Sequence, residues 1–137
     1  MTKSVAEIAR IWVGSYLLDS TPDPHFAELF APRVKAWHNY DAERVEYNGH
    51  ELANLMLQRR EQLRRVMPDF RVEDFTMHIA ESAFIFEHIS VGTLLDGTPV
   101  RIPACTVVEV EDGRIVSMNS VSNFKQREAM EAALAAL

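Results

Sequence analysis

The sequence predicts an α+β fold: helices first, then one strand and one long helix, and finally an antiparallel meander. Three observations carry this reading. Apolar residues recur at helical spacing near the N-terminus and again over residues 49–67. From Phe70 onward the period shortens to two, the alternation of half-buried strands. Two Asp-Gly pairs, Asp96-Gly97 and Asp112-Gly113, then interrupt the strand-forming stretch as hairpin turns, because glycine tolerates the positive φ such turns need.

Each element has its own local reason. Ser4 followed by Glu7 fits a capping box, and Val5, Ile8, Ala9, Trp12 and Tyr16 then share one helical face. The helix is expected to fail at Asp19-Ser20-Thr21-Pro22. A second, short helix is expected from Asp23, with Pro24 in its first turn, burying Phe26, Leu29 and Phe30 and stopping at Pro32. Residues 33–40 predict a strand with Val34, Ala36 and His38 on one face and Lys35, Trp37 and Asn39 on the other. Residues 41–47 read as irregular or as a short strand. Asn48-Gly49-His50-Glu51 opens the longest helix, with Asn48 as cap and Glu51 at the capping-box position. Leu52, Leu55, Met56, Leu63, Val66 and Met67 form its expected buried stripe. Arg59, Arg60, Arg64 and Arg65 fall mainly on the solvent side, and Pro68 ends it. Four strands follow, at 70–79, 83–94, 99–110 and 114–123. The Ala- and Glu-rich tail, 125–137, predicts a terminal helix.

Composition narrows the class. The length of 137 residues predicts one domain, 1–137. Fourteen basic residues against 20 acidic ones give a formal charge of −6, which argues against nucleic acid as a partner. Cys105 is the single cysteine, so no internal disulfide can form. No apolar run approaches the ~18 residues of a membrane span, so no membrane partner is expected. The opening MTKSVAEIAR lacks a signal-like apolar stretch, and a cytoplasmic protein is expected. No HxH, HExxH or CxxC spacing suggests a metal, and the five scattered glycines make no phosphate loop. Apolar residues occupy both faces of several strands, as in Ile85 beside Phe84 and Phe86, or Val107 beside Val108. One set therefore serves an interior and the other a partner surface.

The element order and its junctions resemble the nuclear transport factor 2-like superfamily, in particular its SnoaL-like branch of polyketide cyclase, ketosteroid isomerase and limonene epoxide hydrolase relatives. The resemblance runs from about residue 4 to 124. It rests on Phe30-Ala31-Pro32 leading into Val34-Lys35-Ala36-Trp37-His38-Asn39, and on Tyr47-Asn48-Gly49-His50-Glu51-Leu52. Met67-Pro68-Asp69-Phe70, Phe86-Glu87-His88 with Gly92-Thr93, Asp96-Gly97-Thr98-Pro99-Val100 and Val110-Glu111-Asp112-Gly113-Arg114-Ile115 complete it. It implies a cone-shaped α+β barrel, its curved, mostly antiparallel sheet wrapped around N-terminal helices over an internal pocket. It also implies a homodimer paired through the outer sheet face.

Within that frame, His38 shares its face with Val34 and Ala36 and is expected to point inward, at the place where ketosteroid isomerases carry an aspartate base. A histidine there can accept a proton near neutral pH. His88 alternates with Phe84 and Phe86 and should also face inward. Tyr16 lies about where the resembled isomerases carry their oxyanion-stabilising tyrosine. Catalytic His38, His88 and Tyr16, with Trp12, Phe84, Phe86, Thr106, Met118 and Ser120 around the substrate, form the candidate site. The alternative for each histidine is a core ring bonded to backbone. Asp19 or Asp23 is a further candidate, to orient a histidine as in related dehydratases. Departures from the family pattern bear on the chemistry. Thr106 stands near the second isomerase acid, and Asn123, or Ser122, stands where SnoaL-type cyclases have aspartate. The implied activity is a cofactor-independent isomerase, dehydratase or cyclase acting by acid/base catalysis on a small apolar, oxygen-bearing substrate. A non-catalytic ligand-binding domain of the same fold is the alternative.

Overall fold

A computed structural model describes residues 2–18 and 21–137. Helix α1 spans Val5–Tyr16, and its cap is the one expected: the Ser4 hydroxyl oxygen accepts the Glu7 backbone N–H at 3.1 Å. Strand β1 (Phe30–His38), β2 (Val45–Asn48) and helix α2 (Gly49–Val66) follow. Strands β3 (Arg71–Ile79), β4 (Ala83–Thr93), β5 (Pro99–Glu111) and β6 (Arg114–Ser122) form the meander, and α3 (Phe124–Ala135) closes the order. Asn48 caps α2 by accepting the Glu51 N–H at 3.1 Å.

The six strands make one sheet in the order β2-β1-β6-β5-β4-β3. Every pairing is antiparallel except β1 with β6, which is parallel. The edge strands β2 and β3 do not pair with each other, so the expected barrel is an open, curved sheet. Register breaks lie between Glu73 and Thr76, and between Glu109 and Val110. Such bulges bend a strand and increase its twist. At the first of them Asp74 takes a φ of 50°.

Helix α1 lies in the concavity, where Trp12 meets the rings of Phe84 at 6.0 Å and Phe86 at 5.1 Å. Ile8, Phe26, Phe30, Val34, Phe84 and Ile115 are buried with it in the main core. A second cluster, built on Val66, Met67, Ile102 and Met130, joins the far end of α2 to α3. Among the described residues no helix is long and apolar enough to cross a membrane.

Two local expectations need correction. The helix expected from Asp23 is only a 3-10 turn, Phe26–Leu29, and Phe30–Pro32 already belong to β1. Phe30 pairs with Ile115 of β6, and tertiary pairing overrides the local helical signal. Pro32 is tolerated because the β1–β6 register breaks between Phe30 and Lys35, where no ladder N–H is demanded of it. The second correction concerns α2. Leu55 is 51% exposed, whereas Arg60 is only 7% exposed and Arg59 is half-buried. The helix meets the core on one side and α3 on another, so a single apolar stripe misassigns the flank that α3 covers.

Candidate active site

The concave face of the sheet, α1, α2 and α3 enclose a cavity of about 290 Å³. Alternation along the strands decides which side chains reach it: Phe86, His88 and Ser90 from β4; Ile102, Ala104 and Thr106 from β5; Met118, Ser120 and Ser122 from β6. Its volume lies at the small end of the ~300–1,000 Å³ usual for ligand sites, which selects a compact ligand.

His38, the last residue of β1, lines the mouth with its side chain 44% exposed. Asp41 holds it twice. The Asp41 carboxylate accepts the His38 backbone N–H at 2.8 Å, and the same oxygen lies 3.4 Å from His38 Nδ1. Tyr40 stacks on the ring at 5.2 Å and 19°. Burial and the positive charge of Arg127 lower the His38 pKa below its ordinary value, against the opposing pull of Asp41. The ring is therefore a neutral base at pH 7.

His88 sits deeper, at 7% exposure, with its ring 5.4 Å from Phe86. Its Nδ1 is buried and has no hydrogen-bond partner. Desolvation, helped by Arg127, pushes its pKa down to about 4. Such a ring stays neutral at pH 7, so it cannot serve there as an imidazolium acid, but it can donate or accept as neutral imidazole.

The stability consequence has a definite sign. Unfolding returns the His88 ring to its ordinary 6.5, so the unfolded chain binds the extra proton between 6.5 and about 4. The stability of the neutral buried ring is complete above pH 6.5 and is lost as pH falls toward 4. At pH 4.5 the loss is about 2.5 kcal/mol. Urea unfolding at pH 7 and pH 4.5 checks this: the acid-induced loss should shrink by about that amount in His88→Gln. Equal losses in both proteins would assign the acid sensitivity elsewhere.

Tyr16 ends α1 at the cavity wall, edge-on to Trp12 at 5.2 Å. Burial raises its pKa despite the nearby positive charges of Arg59 and Arg127. The hydroxyl thus keeps its proton and remains a donor. Trp12, Phe86, Met118, Thr106 and Ser120 all line the cavity. Trp12 Nε1 is buried without a partner, and the hydroxyls of Thr106 and Ser120 lie 3.0 Å apart. Phe84 is the exception. It is fully buried behind Trp12 and Phe86, in the core and outside the cavity wall, because it lies deeper along β4 under α1.

Asp23 does not orient a cavity histidine: its carboxylate accepts the His25 backbone N–H at 2.8 Å, away from the cavity. Asp19 lies outside the described residues. The aspartate that does meet a cavity histidine is Asp41, which the sequence presents as a strand-end turn residue; its i,i+3 spacing from His38 is the available signal. Asn123 caps α3 by accepting the Lys125 N–H at 2.9 Å, and Ser122 alone of that pair reaches the cavity. Asn39, expected to point outward, fastens the end of β6 by accepting the Ser122 N–H at 3.0 Å. Arg59 and Arg127 on the cavity wall had no signal in local periodicity. Among the described residues no group of three or more His, Cys, Asp or Glu could hold a metal. Cys105 is half-buried outside this cavity, and burial pushes its thiol pKa up.

Comparison with known proteins places this geometry. The SnoaL-like domain profile matches residues 18–118. No curated protein matches the chain. Among solved structures, a candidate polyketide cyclase from Pseudomonas putida superposes with a TM-score of 0.67 at 18% identity, over 90% of this chain and 95% of that one. A candidate SnoaL-like polyketide cyclase from a Jannaschia species gives 0.62 at 14% identity, over 100% and 97%. A protein of ketosteroid isomerase-like fold from Catenulispora acidiphila, solved with trimethylamine, gives 0.57 at 17%, over 85% of each chain. At these identities the structures share a fold. The open curved sheet, the helices packed into it and the profile match over most of the chain converge on one assignment: the protein belongs to the SnoaL-like domain family, within the nuclear transport factor 2-like fold.

Proposed function

We propose that residues 1–137 act as one cytoplasmic domain that binds a compact, mostly apolar, oxygen-bearing molecule and moves a proton on it. The reading is of a cofactor-independent isomerase, dehydratase or cyclase. One observation carries it: two neutral imidazoles, His38 and His88, and a protonated tyrosine, Tyr16, line one apolar cavity. In this scheme His38, oriented through Nδ1 by Asp41, takes a proton next to a carbonyl. Tyr16 O–H and the neutral His88 ring donate to the oxygen where charge develops. The polar atoms of Trp12 and His88 without protein partners support a ligand that completes their hydrogen bonds.

The test needs no known substrate. Small cyclic ketones and enones are incubated with the protein in D₂O, and exchange of the proton next to the carbonyl is followed by NMR. Exchange above the protein-free rate, dependent on His38, supports the reading. Binding in the cavity with no exchange at any carbonyl supports the second reading, a ligand-binding domain without turnover. That second reading is favoured by Asp41 being, among the described residues, the one carboxylate on the cavity wall, where the resembled isomerases use two.

We further propose a homodimer through the outer sheet face. Val121 is about half exposed, at 51%, and Ile85 and Val107 on the same face are incompletely covered. Light scattering after size exclusion should give twice the 15.6 kDa chain mass. A strict monomer would overturn this interface.

A further inference from the structure

Two guanidiniums, Arg59 from α2 and Arg127 from α3, stand on the wall of the cavity. Both contact the same oxygen, Oε1 of Glu131: Arg59 through a short ion pair, Arg127 at 3.0 Å. Glu131 itself is outside the cavity wall. Burial alone would raise its pKa, but the two arginines outweigh burial and hold it below the ordinary carboxylate value. Asp41, the carboxylate that lines the cavity among the described residues, is engaged with His38.

The arginines therefore have more donors than partners. A guanidinium carries five N–H donors in a fixed fork. Arg127 uses one nitrogen on Glu131 and lays its face over Tyr40 at 6.0 Å, while its Nε is buried with no hydrogen-bond partner and the side chain is 15% exposed. Arg59 pairs with Glu131, and its charge lies close enough to Tyr16 to act on that hydroxyl's pKa. Unmet donors on a largely desolvated cation are costly, and a carboxylate satisfies such a fork with two parallel bonds. These cations are local, since the chain as a whole carries −6. The field of Arg127 also reaches His38 and His88, lowering the pKa of both.

We propose that the ligand carries a carboxylate, anchored by Arg127 with Arg59, while its apolar body lies on Trp12, Phe86 and Met118. This rests on the small-molecule reading of the cavity above and names the ligand class. Glu131 holds the two guanidiniums in place and competes with the incoming carboxylate for their donors.

The probes are cyclohexanecarboxylate and its near-isosteric amide, cyclohexanecarboxamide. Affinity is measured by calorimetry at low and high salt, and location by the NMR resonance of the His88 ring. In the parent protein the carboxylate should bind about 10- to 100-fold more tightly than the amide, less so at high salt. Arg127→Gln should bring the ratio near one, chiefly by loss of carboxylate affinity. Glu131→Gln should raise carboxylate affinity, an effect a merely structural ion pair would not give. Circular dichroism verifies folding. If Arg127→Gln does not fold, Arg127→Lys decides, because it keeps the charge but loses the fork; a ratio below the parent value supports the assignment, and an unchanged ratio overturns it. Equal binding of both probes with the His88 resonance shifted overturns the carboxylate anchor and leaves the small-molecule site standing. A preference that survives in Arg127→Gln overturns the anchor as well. Neither probe moving His88 overturns both.

Discussion

Replacing His38 by Gln is expected to lower proton exchange on a bound carbonyl ligand by about 10²- to 10⁴-fold, the usual contribution of a positioned general base. Its melting temperature should stay near that of the parent, because the side chain sits at the cavity mouth, 44% exposed, and outside both buried clusters. Glutamine can still hydrogen-bond toward Asp41 but cannot take a proton. The pH profile adds an independent check. Burial and Arg127 lower the His38 pKa, so activity should be flat through neutrality and fall on the acid side, below the ordinary histidine value. Asp41→Asn separates the positioning role from the base. The amide oxygen can still accept the His38 backbone N–H, but the charge that raises the ring's pKa is gone. The acid limb should move to lower pH, with a smaller loss of rate than in His38→Gln. A His38→Gln protein that exchanges protons as fast as the parent would remove His38 from the chemistry.

Gly49→Ala is expected to destabilise the protein by about 3 kcal/mol, the upper part of the range for overpacking, and to lower the melting temperature by on the order of 10 °C. The sign makes the test sharp. In an ordinary helix, glycine to alanine stabilises by about 1 kcal/mol, and Gly49 is the first residue of α2. Here a Cβ would lie 1.8 Å from the Ala31 carbonyl oxygen and 3.1 Å from Phe30 Cβ. The first of these is backbone of β1, which cannot rotate away as a side chain can. Helix α2 must therefore shift against β1, the strand that presents His38. Gly97→Ala is the control: its surroundings are empty, and its φ of 92° alone sets a cost of roughly 1–2 kcal/mol. Thermal unfolding of both variants checks the contrast, and a Gly49→Ala protein as stable as the parent would mean that the two elements are not packed this closely.

Gly49 also illustrates how much was legible beforehand. Asn48-Gly49-His50-Glu51 reads as a helix start, and Asn48 does cap α2. The reason for the glycine lies in Ala31, a strand earlier in the chain, and no local pattern contains it. The same division holds in the site. Period-two alternation placed His88 with Phe86 and Thr106 with Val108, and all four lie on the inner face. Alternation did not tell the cavity wall from the core behind it, which is why Phe84 was grouped with Phe86. Whether an inward residue meets ligand or helix depends on where α1 crosses the sheet. The charged part of the site was hidden for a related reason. Arg59 and Glu131 are 72 positions apart, and a helical wheel of α2 treats an arginine off the apolar stripe as solvent-facing unless α3 is known to cover it.

By itself the sequence determined the class of element at nearly every position, the caps Ser4 and Asn48, the Asp-Gly turns and the inward faces of β4 and β5. These follow from interactions within a few residues, which period and capping chemistry express directly. Tertiary structure alone decided that the sheet stays open and that β1 runs parallel to β6. It also decided that Arg59, Glu131 and Arg127 form one cluster beside the cavity. Those outcomes depend mainly on how curved and packed elements meet across long stretches of chain, and the charges they bring together acquire their partners and shifted pKa values only once water has been excluded between them.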